Sequence, residues 1–328
     1  MKRRLILVLI ACAVTVLSAR TATFRLVSAV EGLEGRVAAD TEALAKHATP
    51  PAAVKSGESE CGLPQDQKSV RFAVIGDSGT GGTEQYQVAE QMEVCRQKLG
   101  FDFVLMLGDN IYGGKRQQDF EQKFELPYKP LLDAGVKFYA SIGNHDDPNE
   151  RLYKPFNMNG ARYYSFKKGN VTFFALDSNY MDLKQRDWLE NELQSTTTPW
   201  KICYFHHPLY SDGRFHGPDK DLRAVLTPIF QKYGVTVVLS GHEHVYERIK
   251  PENGIYYFVL GNSGELRYHN LKPSSDMAAG FDTDRDYMLV EIAGDKFYFQ
   301  TISRTGQVVD GGVLELPKPL DSARASAG

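Results

Sequence analysis

Five apolar runs of strand length each end directly in a polar group, and this repeated pattern constrains the fold more than any other feature. The runs span residues 70–75, 103–107, 137–142, 201–205 and 235–240. The groups that follow them are Gly76-Asp77-Ser78-Gly79, Gly108-Asp109-Asn110-Ile111-Tyr112, Gly143-Asn144-His145-Asp146, His206-His207-Pro208 and Gly241-His242-Glu243-His244. A continuous apolar run is typical of a strand covered on both faces. In open α/β sheets ligands gather at the carboxyl ends of such strands. The sequence therefore predicts one cleft in which the five groups meet.

Segments of helical period separate the runs, at residues 86–99, 118–126, 185–194 and 222–233. This alternation of strand and helix patterns is typical of a layered α/β domain. Near the end, residues 287–292, 296–303 and 308–316 read as consecutive strands, which predicts a closing antiparallel sheet.

The polar groups offer seven oxygen or nitrogen donors and no sulfur: two Asp, one Asn, one Tyr and three His. Such a set suits borderline or hard cations such as Fe, Zn or Mn. Seven donors exceed what one tetrahedral zinc uses, but they suit two ions that share a carboxylate, as in two-metal phosphoryl hydrolysis. A single Gly-Asp pair after a strand is usually only a turn, so the prediction depends on the groups occurring together.

The order of these motifs resembles the calcineurin-like metallophosphoesterases, and Tyr112, three residues after Asp109, narrows the resemblance to the purple acid phosphatases. The resemblance covers residues 69–316. It implies an α/β fold of mixed sheets, a four-layer αββα sandwich with the site at one edge. Overall size is similar to the small mammalian, tartrate-resistant type, whereas His244-Val245-Tyr246-Glu247-Arg248 is closer to the plant form.

The resemblance also implies a role for each matched residue. The residues expected to bind the first metal, Fe(III), are Asp77, Tyr112 and His244. Those expected to bind the second, Fe(II), Zn or Mn, are Asn144, His206 and His242, with Asp109 bridging both ions. His206 is preferred over His207 because the family's histidine stands two residues before the proline. His145 and His216 match catalytic histidines near the substrate phosphate.

The implied activity is an acid phosphatase that hydrolyses phosphate monoesters, of small molecules or of proteins, with a metal-bound hydroxide as nucleophile. One alternative is a calcineurin-like phosphodiesterase, against which Tyr112 argues because the colourless members generally lack that tyrosine. A second alternative is a non-catalytic exported metal-binding protein. A zinc protease is excluded because His242 and His244 are two residues apart, not four.

The first residues predict export. Lys2-Arg3-Arg4 precede an apolar run that ends at Ala19, which is shorter than the about 20 residues of a spanning helix. Residues 1–22 are interpreted as a signal peptide or membrane anchor. A lipoprotein is a further alternative, because Leu9-Ile10-Ala11-Cys12 resembles a bacterial lipoprotein box with Cys12 as the acylated residue. Residues 23–68 are interpreted as a linker, 69–317 as the catalytic domain and 318–328 as a loose tail. The catalytic domain is therefore expected outside the cytosol.

The formal net charge of −3 gives no electrostatic reason to expect a nucleic-acid partner, and a monomer is expected. Beyond the export segment the cysteines are Cys61, Cys95 and Cys203, an odd number that leaves the existence of a disulfide open. Cys203 lies in an apolar run and is predicted to be a buried thiol. Loops at 114–115, 146–158, 211–218 and 267–279 are expected to surround the cleft and set specificity.

Overall fold

The computed structural model describes residues 61–114 and 116–316. The predicted export segment, the predicted tail and most of the predicted linker lie outside these residues. None of the helices in the described part has the length and apolar character needed to cross a bilayer.

Thirteen strands and five α-helices are found in the described part. The strands are β1 (Val70–Ile75), β2 (Phe103–Met106), β3 (Lys137–Ala140), β4 (Tyr164–Lys168), β5 (Val171–Ala175), β6 (Trp200–Tyr204), β7 (Val237–Ser240), β8 (Tyr246–Glu252), β9 (Ile255–Leu260), β10 (Met277–Phe281), β11 (Asp286–Ala293), β12 (Lys296–Ser303) and β13 (Val308–Glu315). The helices are α1 (Thr83–Leu99), α2 (Gln117–Phe120), α3 (Lys129–Asp133), α4 (Leu183–Ser195) and α5 (Lys220–Tyr233), and a π-helical turn, Glu121–Glu125, continues α2.

The strands form two mixed sheets. The six-stranded sheet has the order β13-β12-β11-β1-β2-β3, and the seven-stranded sheet has the order β10-β8-β9-β7-β6-β5-β4. Strands β1, β2 and β3 are parallel, as are β5, β6, β7 and β9. The three strands predicted to close the chain are antiparallel to their neighbours and join the first sheet through the pairing of β1 with β11.

Side chains alternate between the two faces of each sheet, and this alternation gives the fold four layers. In β1, Phe72 and Val74 point into a core between the sheets, where the rings of Phe72 and Phe103 stack 5.1 Å apart. Ala73 and Ile75 point to the other face, which α1 covers. Helices α4 and α5 cover the outer face of the second sheet. The structure therefore confirms the predicted αββα sandwich of mixed sheets.

Parallel pairing places the polar groups together. Ile75 of β1 pairs with Met106 of β2, and Met106 pairs with Ala140 of β3, so these strands end level with one another. Tyr204 of β6 and Leu239 of β7 are paired in the same way in the second sheet. All five ligand-bearing loops therefore leave the two sheets at their carboxyl ends.

Residues 61–68, which the sequence places in the linker, are held against the domain in the structure. Cys61 forms a disulfide with Cys95 of α1, with 5.8 Å between the Cα atoms. The amides of Gln65 and Asp66 donate to the Glu291 carboxylate at 2.7 and 2.6 Å. The pairing that the sequence left open is thus Cys61 with Cys95, and the prediction of a buried Cys203 thiol is confirmed.

Candidate dinuclear metal centre

Asp77 and Asp109 stand on tight turns directly after β1 and β2. Both residues have φ of 51°, and the amide of Asp77 donates to the carbonyl of Gly108 at 3.0 Å. Both side chains are buried. A Cβ at Gly143 would lie 2.1 Å from Oδ1 of Asp109, and a Cβ at Gly241 would lie 2.4 Å from Oδ2 of Asp77. Glycine at these two positions therefore leaves the room that the carboxylates occupy.

The residues predicted for the first metal surround Asp77. The Tyr112 hydroxyl lies 3.2 Å from Oδ1 of Asp77 and 3.3 Å from Nε2 of His244. Nε2 of His244 lies 3.3 Å from the same Asp77 oxygen. The backbone amide of His242 donates to Oδ2 of Asp77 at 2.8 Å, which fixes the carboxylate. One carboxylate, one phenol and one imidazole thus meet at one point.

The residues predicted for the second metal surround His206, whose side chain is fully buried. Nε2 of His206 lies 2.9 Å from Oδ1 of Asn144 and 3.1 Å from Nδ1 of His242. It also lies 3.4 Å from Oδ1 of Asp109. On the other side of the ring, Nδ1 of His206 lies 3.0 Å from the carbonyl of Leu107. Because a carbonyl only accepts, Nδ1 carries the proton of the neutral ring and Nε2 presents a lone pair to the other three atoms.

The two groups share Asp109, since Asp77, Asp109 and His206 each place one donor atom within 4.8 Å of the other two. Within residues 61–114 and 116–316, Oδ2 of Asp109 is buried and receives no hydrogen bond. Nε2 of His206 faces three other acceptor atoms, those of Asn144, His242 and Asp109. One added proton could bridge only one of these three contacts, so in the others two lone pairs would still face each other without a hydrogen between them. Asp109 and His206 are buried, and buried acceptors in this arrangement are costly unless a cation lies among them. The donors present therefore fit two bound cations.

Burial is also the main cause of the shifted pKa values of Asp77, Tyr112 and His206. Burial raises the pKa of Asp77 well above its ordinary value, and the charge of Asp109 raises it further. Burial raises the pKa of the Tyr112 hydroxyl, and the charges of both aspartates add to the effect. Burial also lowers the pKa of His206 well below its ordinary value. The protein alone thus favours a phenol at Tyr112, and a cation would supply the positive charge that a phenolate needs.

The two histidines predicted to be catalytic lie on either side of these groups. The ring of His145 lies 5.2 Å from that of Tyr112, and its backbone amide donates to Oδ1 of Asp109 at 2.9 Å. The ring of His216 lies 4.0 Å from that of His242. Both histidines are exposed. All nine residues predicted from the sequence therefore lie in or beside one cleft.

Glu243 was not singled out by the sequence analysis. It is fully buried, and its carboxylate accepts hydrogen bonds from the amides of His216 at 2.6 Å and Gly217 at 2.5 Å. The side-chain amide of Asn270 donates to the other oxygen at 2.8 Å. Glu243 thus holds the backbone that carries His216. Its place between His242 and His244 was the signal that could have drawn attention to it.

Asp146 was also not assigned a role. Its carboxylate accepts from the amides of Asn110 at 2.6 Å, Ile111 at 3.1 Å and Gly143 at 2.8 Å, and from the side chain of Asn110 at 2.8 Å. These bonds tie the loop after β2 to the loop after β3.

His207, the neighbour of the predicted ligand His206, contacts Ser178 instead: its Nδ1 lies 2.8 Å from the Ser178 hydroxyl.

Two cavities border the centre. One of about 290 Å³ is lined by Asn144, Asp146, Arg162, Asn179 and Tyr180, among others. Another of about 220 Å³ is lined by His207, His216, Gly217, Asp219 and His242, among others. Both open beside residues predicted to bind the second metal, so a substrate would have room there.

The four-layer fold and this donor set define a phosphoesterase with a dinuclear metal centre. Residues 70–246 match the family model described as calcineurin-like phosphoesterase, more than half of the chain, and the chain belongs to that family. It is similar to purple acid phosphatase 17 of Arabidopsis thaliana, with 29% identity over 234 residues, 60% of this chain and 68% of that protein. It is also similar to tartrate-resistant acid phosphatase type 5 of Rattus norvegicus, with 26% identity over 256 residues, 65% and 78% of the two chains.

Two solved structures share the fold. Purple acid phosphatase PPD1 from yellow lupin seeds has a TM-score of 0.62 and 18% identity, over 77% of this chain and 55% of that chain. GAP50, the anchor in the inner membrane complex of Plasmodium, has a TM-score of 0.67 and 18% identity, over 78% of this chain and 92% of that chain. The resemblance to the purple acid phosphatases that the motifs predicted is confirmed by the sequence relatives.

Proposed function

We propose that the protein is an acid phosphatase of the purple acid phosphatase type, which hydrolyses phosphate monoesters at a dinuclear metal centre. The observation that carries the proposal is the meeting of Asp77, Asp109 and His206, three buried donors from different strand ends. The similarity to acid phosphatases supports the choice of reaction.

One cation would be held by Asp77, Tyr112 and His244, and Fe(III) is proposed there because a carboxylate and a phenolate are hard donors. The other would be held by Asn144, His206 and His242, with Fe(II), Zn or Mn proposed. Asp109 would contact both. When bound, the two cations would acidify water and offset the negative charge of the phosphate.

The protein's own groups would position the ester. His145 and His216 lie on opposite sides of the centre, next to Tyr112 and His242. An imidazole N–H on either side can donate to a phosphate oxygen or give a proton to the departing alcohol. Hydrogen bonds fix the backbone that carries both rings, since the His145 amide donates to Asp109 and the His216 amide donates to Glu243.

Export is proposed on two grounds. The chain starts with a basic and apolar segment, and the Cys61–Cys95 disulfide suits an oxidising compartment. The proposed location is secreted, periplasmic or vacuolar, or membrane-anchored with the catalytic domain outside the cytosol. The proposed substrates are phosphate monoesters of small molecules or proteins. The protein is proposed to be a monomer, and no nucleic-acid partner is proposed.

The test is to load the protein with iron and zinc and measure hydrolysis of 4-nitrophenyl phosphate and bis(4-nitrophenyl) phosphate from acid to alkaline pH. Faster cleavage of the monoester with an optimum in acid is expected. A preference for the diester with a neutral or alkaline optimum would instead make the protein a phosphodiesterase. If neither ester is cleaved by a sample that elemental analysis shows to hold two metals, the protein is a non-catalytic metal-binding protein.

A further inference from the structure

Four planar side-chain groups form a row from the rim of the cleft to the metal centre: those of Arg267, Phe215, His216 and His242. The guanidinium carbon of Arg267 lies 3.3 Å from the centre of the Phe215 ring. The Phe215 ring lies 4.5 Å from that of His216, which lies 4.0 Å from that of His242. Arg267 is also tied to the centre through its backbone, since its amide donates to the carbonyl of His244 at 2.9 Å. A positive charge is therefore held at a fixed place beside the cleft.

The Arg267 guanidinium has no anionic partner in the described part of the chain. Some other arginines are neutralised there: Arg162 pairs with Asp177 at 3.1 Å, and Arg248 pairs with Asp310 at 2.8 Å. For Arg267, no carboxylate of residues 61–114 or 116–316 lies within ion-pair distance. Its Nε is shielded from solvent and donates to no acceptor among these residues. A guanidinium without an anionic partner gains more from an arriving anion than one that is already paired.

Phe215 is 58% exposed, so the group on which the guanidinium stacks lies at the open rim. An arginine stacked on an aromatic face keeps the edge with its two terminal nitrogens available, and that edge matches two oxygens of a phosphate.

We propose that Arg267 binds the second phosphate of substrates that carry two adjacent phosphates, so that organic diphosphates are preferred over simple monoesters. The inference rests on the proposed phosphatase function and names a substrate class for that site. The reaction remains hydrolysis: a water oxygen bonds to the terminal phosphorus, the bridging P–O bond breaks, and the departing phosphate takes up the proton. Arg267 would bind that departing phosphate, whereas a monoester with an uncharged alcohol has no second anionic group for Arg267 to bind.

The test compares ADP with 4-nitrophenyl phosphate in the metal-loaded protein and in Arg267→Gln, which keeps part of the side chain but removes the charge. The ratio of kcat/KM for ADP to that for 4-nitrophenyl phosphate should fall by about ten-fold or more, the loss expected for a charge-assisted hydrogen bond. Arg214→Gln is the matched control, since Arg214 is an exposed arginine beside Phe215. Its ratio should change much less.

An unchanged ratio in Arg267→Gln would overturn the proposal. So would an equal fall in both variants, which would indicate a general electrostatic field, or an equal loss on both substrates, which would indicate a structural role in the loop. Binding of methylenediphosphonate and methylphosphonate, measured by calorimetry, needs no turnover. A wild-type protein that cleaves no 4-nitrophenyl phosphate would refute the proposed function, while the affinity ratio of these two ligands would still test Arg267.

Discussion

Nε2 of His206 lies 2.9 Å from Oδ1 of Asn144, although the ring proton of His206 is on the opposite nitrogen, facing the carbonyl of Leu107. Asn144 follows β3 of the first sheet, and His206 follows β6 of the second. The contact therefore places two lone pairs against each other between the sheets. A cation would make this contact attractive and would link the sheets at the edge where the cleft opens.

Asp109→Asn should remove both metals and the activity together. The substitution takes away the charge of the shared ligand, whose Oδ2 accepts no hydrogen bond from the described residues and so remains available to a cation. We expect kcat/KM to fall by more than about 100-fold, beyond what loss of an outer partner usually costs. Elemental analysis and turnover of 4-nitrophenyl phosphate measure the two effects. Asp133→Asn, at an exposed aspartate of α3, is the control, and full metal occupancy in Asp109→Asn would contradict the bridging role.

Tyr112→Phe should abolish a visible absorption band while leaving the fold intact. The Tyr112 hydroxyl lies within 3.3 Å of both Asp77 and His244, so a bound Fe(III) would have a phenolate ligand and a charge-transfer band. The measurement is the visible spectrum of the iron-loaded protein. Tyr86→Phe, on α1, should retain the colour. If Tyr112→Phe keeps the band, Tyr112 is not the iron ligand.

Glu243→Gln should lower catalysis through His216. Oε1 of Glu243 accepts from two amides of the His216 loop and Oε2 accepts from Asn270, so an amide in its place cannot satisfy both sets. We expect kcat/KM to fall by about ten-fold, the scale of one lost hydrogen bond to a charged group, together with an altered pH–rate profile.

The control for this experiment is Glu247→Gln. Glu247 is also fully buried and holds the same loop at its other end, through the Ser211 hydroxyl and the amide of Asp212 at 2.7 Å. If both variants reduce activity to the same extent, the order of the loop as a whole matters and not the placement of His216. A normal pH–rate profile in Glu243→Gln would also count against the positioning role.

The sequence predicted the parts of the site that depend on local order. An apolar run followed by Gly and a polar ligand specifies a strand and its loop within a few residues, as at Asp77 and Asp109. Parallel pairing of neighbouring strands then brings such loops together, so the cleft followed from the alternation of strands and helices. The helix at 118–126 was predicted less well, because the chain there forms a short α-helix that continues as a π-helical turn.

Contacts between distant parts of the chain could not be predicted. Strand β8 begins two residues after His244, so the sequence pattern does not separate this strand from the site motif. The role of Glu243 depends on a loop 26 or 27 residues away that folds back over it, and a glutamate between two histidines carries no sign of that partner. For Arg267, the sequence could not show that the guanidinium has no carboxylate partner in the described part of the chain, because such pairing depends on the folded surroundings.

Glu247 should make the protein less stable as pH rises from acid toward neutral. Burial raises the pKa of this carboxyl from 4.5 to about 7, although the Ser211 hydroxyl and the Asp212 amide act in the opposite direction. The folded protein therefore keeps the proton after the unfolded chain has lost it. The resulting stabilisation is complete below the ordinary pKa and is lost as pH rises through about 7.

The loss should be on the order of 3 kcal/mol, since each pKa unit corresponds to about 1.4 kcal/mol. Urea unfolding at a series of pH values measures it, with the metal-loaded protein compared with Glu247→Gln. The glutamine is neutral at every pH, so its free energy of unfolding should fall less between acid and neutral pH. Metal binding also depends on pH, but this contribution is common to both proteins and cancels in the difference. Parallel curves for the two proteins would mean that Glu247 does not hold its proton in the folded state.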